Sequence, residues 1–190
     1  MRKICYYLSM KYVFLLYAYV INPLLNLISL YWIDIFYDNM THVGNAMHHP
    51  YYLIAWAFST AIGLFTFSIQ IWKQYHISHS LPLHFLLCSG WVLSCCIPYG
   101  SHLPGWINDA HVWIAIVCTI GFSLEWIYIN TKKESFIYSE IKTLLSILQF
   151  VFLICFTTLA TAGHVNALCE IIYSIGVNAV LATFVFRFIL

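Results

Sequence analysis

Charge is scarce in this sequence. There are 8 Lys and Arg and 7 Asp and Glu in 190 residues, or 8%, where a soluble domain carries roughly a quarter. That is too few to solvate a water-facing surface, and 62% of the residues are hydrophobic with a mean hydropathy of +0.83. The surface is therefore expected to face lipid. A formal net charge of +1 also excludes a polybasic nucleic-acid binder, so no nucleic acid is expected as a partner. Phosphate-cradling and nucleophile motifs are missing as well. No G-x-x-x-x-G-K-[ST], G-x-G-x-x-G or G-x-S-x-G occurs, which leaves a nucleotide site or a serine elbow without support. There is no Gly-rich filter, no low-complexity tract and no repeat between the two halves that would suggest an inverted-repeat transporter.

Cysteine is present but unpatterned. The seven residues (5, 88, 95, 96, 118, 155 and 169) are odd in number, contain no C-x-x-C and mostly sit in apolar runs, where Cys acts as a small hydrophobe. Adjacent Cys95 and Cys96 are the pair whose spacing invites an oxidation test. The N-terminus, MRKICYYLSMKYVFLLYAYVI, has the charged start of a signal peptide but no A-x-A cleavage site. Its apolar run reaches about Trp32, long enough to span, so it reads as a retained first helix.

A bilayer core needs about 20 apolar residues per helix. Runs of that kind fall near 12–32, 51–72, 82–99, 110–129, 143–163 and 168–190. The expected fold is all-α: one transmembrane domain over 1–190, a polytopic bundle of six transmembrane helices. Pro50 and Pro82 begin spans, where a missing N–H costs nothing; Pro23 lies inside the first and should kink it. In a six-span chain with both termini on one side, all eight basic residues (Arg2, Lys3, Lys11, Lys73, Lys132, Lys133, Lys142 and Arg187) share that side. The positive-inside rule makes it cytoplasmic, and the expected location is the plasma (inner) membrane.

The opposite face then holds Asp34, Asp38, Asp109 and Glu170 with His42, His48, His49, His102, His111 and His164, and no Lys or Arg. Part of this is ordinary membrane architecture. Tyr31, Trp32, Tyr99, Trp106 and Trp113 suit an interfacial aromatic belt, and outer loops without basic residues are what orientation requires. Within the spans, polar residues recur at helical spacing: Asn22, Asn26 and Ser29; Ser59, Gly63, Thr66 and Gln70; His111, Cys118 and Glu125; Glu170, Ser174 and Asn178. Small and polar stripes pack helices in lipid. Glu170 and Glu125, however, are carboxylates at membrane depth, which point to a site by default. The candidate partners for Glu170 are His111, His164 and Asn166.

Three chemistries could use such a pocket. Asp109, His111 and Glu170, joined by His49, could ligate zinc, since imidazole and carboxylate suit that ion. Haem would need paired histidines such as His111 with His49 or His164; His84, near the inner end of its span, has no histidine partner at its depth. A lipid headgroup or small ligand, held by Asp, His and aromatic rings, asks least of exact spacing, and a cation there would gain from the rings. The residues proposed for that pocket are Asp109, His111, Glu170, His164, His49, Trp106 and Trp113.

From Leu83 onward a family pattern appears. HFLLCSGWVLSCCIPYG, ending in Pro-Tyr, leads through a short polar loop into INDAHVWIAIVCTIGFSLEW, and HVNALCEIIYSIGVNAV follows near the end. This order resembles the six-helix Frag/DRAM/Sfk-like membrane proteins and the bacterial membrane family placed beside them. The resemblance covers the C-terminal hundred residues; HHPYY, before the second span, matches no landmark of it. It implies a six-helix bundle with cytoplasmic termini, with Pro98, His111 and Glu170 on family-like landmarks, and relatives associated with lipid-anchor remodelling and membrane lipid organisation. Three functional readings follow from the sequence. The protein binds a lipid headgroup or small ligand in an outward polar pocket, or it is a metal-dependent lipid hydrolase or transferase. Alternatively it is a non-catalytic subunit of a membrane complex, transporter or homo-oligomer.

Overall fold

The computed structural model describes residues 12–129, 131–132 and 138–189. Seven helices and no strand occur among the described residues. They are α1 (Tyr12–Tyr31), α2 (Met40–Asn45), α3 (Pro50–Gln74), α4 (Leu81–Cys96), α5 (Gly105–Ile129), α6 (Ser139–Ala162) and α7 (Ala167–Phe188). Five of them, α1, α3, α5, α6 and α7, are long and apolar enough to cross a membrane. The 16 residues of α4 are apolar but short, covering about 24 Å at about 1.5 Å per residue against a hydrocarbon core of about 30 Å.

Each expected span meets a helix, with shifted ends whose causes are local. Helix α4 stops at Cys96 rather than 99 because Ile97 precedes Pro98 and is already extended (φ −82°, ψ 122°); a pre-proline residue avoids the helical region. Helix α5 starts at Gly105 rather than 110, which places Trp106 and Asp109 on a helix instead of in a loop. In α1 the turn Tyr17–Ile21 is a π turn, closed by the Asn22 N–H on the Tyr17 carbonyl. Pro23 follows at once, and widening the turn ahead of it is one way to absorb a residue that cannot donate. Helix α2 lies inside what the hydropathy pattern shows as loop 33–50. Its N-cap is Asn39, whose side chain accepts from the His42 N–H at 3.0 Å. Ser80 and Asn166 cap α4 and α7 in the same way, and α6 ends on Gly163 at φ +74°, the left-handed stop that glycine adopts freely.

Helices α3 and α7 are the most deeply buried and pack on each other, with α1 across both. Helix α4 packs on α3, α5 on α4, and α6 on α7, while α5 and α6 touch only sparsely and leave a cleft. A polar seam joins α1, α3 and α7. Asn26 Nδ2 donates to Ser174 Oγ (3.0 Å), Trp56 Nε1 to Asn26 Oδ1 (2.8 Å), and Thr60 Oγ1 lies 2.7 Å from Ser174 Oγ. Asn178 Nδ2 donates to the carbonyls of Ser174 (2.9 Å) and Thr60 (3.3 Å). Two of the sequence stripes thus meet, and the third helix offers Thr60 rather than Thr66. Gly63 permits the approach: a Cβ there would land on Asn178 Oδ1 and the Tyr17 hydroxyl. The outward faces are apolar, with Phe85, Leu86 and Leu93 on α4, Val117 and Leu124 on α5, and Phe150 and Leu153 on α6 all exposed. That is the pattern expected of surfaces facing hydrocarbon.

The two ends of the bundle differ. At one, Tyr75 packs on Tyr138 (4.9 Å) and Phe184 (5.6 Å), and Lys73, Lys132, Lys142 and Arg187 belong to the helix ends gathered there. This is the basic end. Arg2, Lys3, Lys11 and Lys133 lie outside the described residues. At the other, residues 32–49, 97–104 and 163–166 form a cap.

Candidate functional site

The cap is built by hydrogen bonds exchanged between α7 and residues 34–41. The first N–H groups of a helix have no partner within it. Here the Ala167 N–H donates to the Asp38 carbonyl (2.6 Å), the Leu168 N–H to the Ile35 carbonyl (3.0 Å) and Asn166 Nδ2 to the Phe36 carbonyl (3.3 Å). In return, Glu170 Oε2 accepts from the Met40 N–H at 2.6 Å. Met40 is the first residue of α2, so the carboxylate of one helix satisfies the N-terminus of another. Asp34 and Asp38 shape the turn between them, Asp34 Oδ1 accepting from the Phe36 N–H and Asp38 Oδ2 from the Asp34 N–H, each at 2.8 Å.

His111 fixes α5 to the cap. Its Nδ1 donates to the Ile97 carbonyl at 3.0 Å, and its Nε2 accepts from the Thr41 hydroxyl at 3.1 Å, the tautomer those partners require. The Tyr99 ring lies 5.3 Å away, and the Tyr99 N–H donates to Asn45 Oδ1 at 3.0 Å. Gly100 and Asn108 exchange two bonds of 3.0 Å that close the 100–108 loop. These contacts leave a cavity of about 460 Å³ between α2 and the 99–102 loop, with Tyr37, Asp38, His42, His48, Tyr99 and His102 in its walls. Asp38 is the one carboxylate among its described lining residues, and no Lys or Arg is among them. Asp38 Oδ1 stands 3.7 Å from His42 Nδ1. His48 follows α2 at φ +59°, a left-handed conformation that costs a non-glycine residue about 1–2 kcal/mol.

The seven residues proposed from sequence divide between four places. His111 and Glu170 brace α2 through neighbouring residues, Thr41 and Met40, and their hydrogen bonds run there rather than to each other. Glu170 and His164 line a second cavity of about 290 Å³ between α5, α6 and α7. Trp106 (72% exposed), Trp113 (63%) and Asp109 face outward from α5, as interfacial residues do. His49 is exposed and rests on Trp32, with ring centroids 4.6 Å apart. Among the described residues, no three His, Cys, Asp or Glu side chains gather as a metal-binding group.

Asp38, His42, His48 and His102 belong to the acidic and histidine-rich face visible in the sequence, but the fold selects them over Asp109, Trp106 and Trp113. The turn made by α2 brings Asp38, His42 and His48 to the same cavity as His102 of the 99–102 loop. A pair that sequence reasoning missed lies at the basic end: His84 Nδ1 is 2.7 Å from Glu125 Oε2, with both side chains buried. Compared with models of known families, with curated proteins and with solved structures, the chain matches none.

Proposed function

We propose that the chain is a six-span integral membrane protein, α4 being the short third span, with both termini on the cytoplasmic side of the plasma (inner) membrane. In this reading the cap faces outward and its cavity binds a cationic group, an amine or quaternary ammonium, on a membrane lipid or a small solute. The grouping of Lys73, Lys132, Lys142 and Arg187 at the end away from the cap supports the orientation. One observation carries the ligand chemistry: Asp38 shares a cavity with the rings of Tyr37 and Tyr99 where no described Lys or Arg competes. A carboxylate supplies the opposite charge and ring faces attract cations, by about 0.5–2 kcal/mol each.

The test is titration calorimetry on protein in nanodiscs, with phosphocholine and phosphoethanolamine as soluble probes and phosphatidylethanolamine against phosphatidylglycerol as the surrounding lipid. Binding of the cationic probes, weakened about tenfold or more by Asp38→Asn, is expected; tenfold is about 1.4 kcal/mol. Competition by phosphatidylethanolamine assigns the site to lipid, and its absence assigns it to a solute. Affinity unchanged in Asp38→Asn, or tighter binding in phosphatidylglycerol than without it, rejects the reading.

A further inference from the structure

The sequence treats the cysteines as small hydrophobes and singles out Cys95 and Cys96. Those two are neighbours on one helix, Cys95 half-buried and Cys96 exposed, and successive residues on a helix do not face each other. The fold brings a different pair together. Cys169 on α7 donates its thiol to the Cys155 backbone carbonyl on α6 at 3.4 Å, which puts the two residues side by side across the α6–α7 contact. Both residues line the 290 Å³ cavity, as Glu170 and His164 do.

The surroundings of this pair are those of a reactive thiol rather than an inert one. Cys169 is half-buried and stands in the first turn of α7. Cys155, 3% exposed, is the partner within reach. His164 donates Nδ1–H to the Ala162 carbonyl at 3.0 Å. That leaves Nε2 with its lone pair, a proton acceptor in the wall of the same cavity. Cys88 and Cys118 are buried elsewhere between α4 and α5 and are not among its lining residues.

We propose that Cys155 and Cys169 form a redox-active dithiol, oxidised to a disulfide by a membrane quinone that enters the cleft between α5 and α6. Two S–H bonds break and one S–S bond forms. Two electrons and two protons pass to the quinone, whose two carbonyl oxygens become hydroxyls. His164 Nε2 takes the Cys169 proton and hands it on, so the protein keeps none.

The cleft selects the oxidant. Its wall is apolar and aromatic, with Trp91, Ile116, Ile120, Phe156 and Tyr173, and the sparse contact between α5 and α6 opens it sideways toward the lipid. A flat, lipid-soluble two-electron acceptor fits that route. The volume lies at the small end of ligand sites, which suits one ring and leaves the tail in the bilayer.

The experiment uses the full-length protein, reduced and held without oxygen in nanodiscs, and mixed with a short-chain benzoquinone. Free thiols are counted, quinone absorbance is followed and disulfides are mapped by peptide mass spectrometry. Loss of two thiols, reduction of one quinone per chain and a Cys155–Cys169 linked peptide are expected. Cys169→Ser should abolish quinone reduction, Cys96→Ser should leave it intact, and His164→Ala should slow it and flatten its pH profile. Wild-type protein that keeps both thiols under excess quinone overturns the proposal, whatever the variants do. So does a disulfide mapped to other cysteines, or quinone reduction that survives Cys169→Ser.

Discussion

His84 and Glu125 show at the scale of single residues how the bundle places ionisable groups. His84 is fully buried, stacked on Phe65 (5.4 Å) and edged by Trp72 (4.5 Å), and its bond to Glu125 is 2.7 Å. Two polar side chains so buried depend on each other's hydrogen bond, and removing one leaves the other unsatisfied, at about 1–3 kcal/mol. His84→Phe and Glu125→Gln should therefore each lower the thermal midpoint in detergent markedly. The double change His84→Phe with Glu125→Leu should recover most of the loss, because replacing both partners of a buried hydrogen bond by apolar groups of similar shape can be nearly neutral. Single variants that melt with the wild type would show that the pair does not hold the basic end together. The sequence contained the clue. His84 is three residues into α4 and Glu125 four from the end of α5, so antiparallel neighbours bring them to one level. A search for a second histidine, as haem requires, passes over a carboxylate.

Helix α7 and the segment leading into α2 raise the same issue at the scale of elements, since Glu170 accepts from the first N–H of α2 while the Ile35 and Asp38 carbonyls accept from the first N–H groups of α7. Glu170→Ala removes the acceptor for the Met40 N–H, while Glu170→Gln keeps an oxygen there. Amide exchange over residues 40–45 should therefore accelerate in the alanine variant and stay near wild type in the glutamine variant. Asn39→Ala should loosen the same helix by about 1 kcal/mol, the usual worth of an N-cap. Equal protection in all three would mean that the cap is held by packing alone. The long helices were legible because apolar runs near 20 residues have few other readings, and Pro50 and Pro82 marked starts. Six residues of α2 are too few for any periodicity to register. Its first N–H is met by Glu170, 130 positions away, a contact that no local pattern carries. This is also why the cap cavity was legible as a face and not as a set of lining residues.

Across the whole molecule, the polar seam and the two unlike ends set the architecture. Hydrogen bonds join Asn26, Thr60, Ser174 and Asn178 between α1, α3 and α7, which fixes those helices in register where the apolar effect gives no preference between lipid and protein. With that register set, the chain alternates direction through α3, α4, α5, α6 and α7, and the cap and the described basic residues separate to opposite ends. The separation can be measured. In a Cys96→Ser background, a cysteine at Ser101 in the cap loop should react with an impermeant maleimide added outside intact cells. A cysteine at Thr131, beside Lys132, should react only after the membrane is opened. Labelling of both positions from the same side would require that α5, the helix between them, fails to cross. The bundle would then have five spans, and the cap and the basic residues would no longer lie on opposite faces of the membrane.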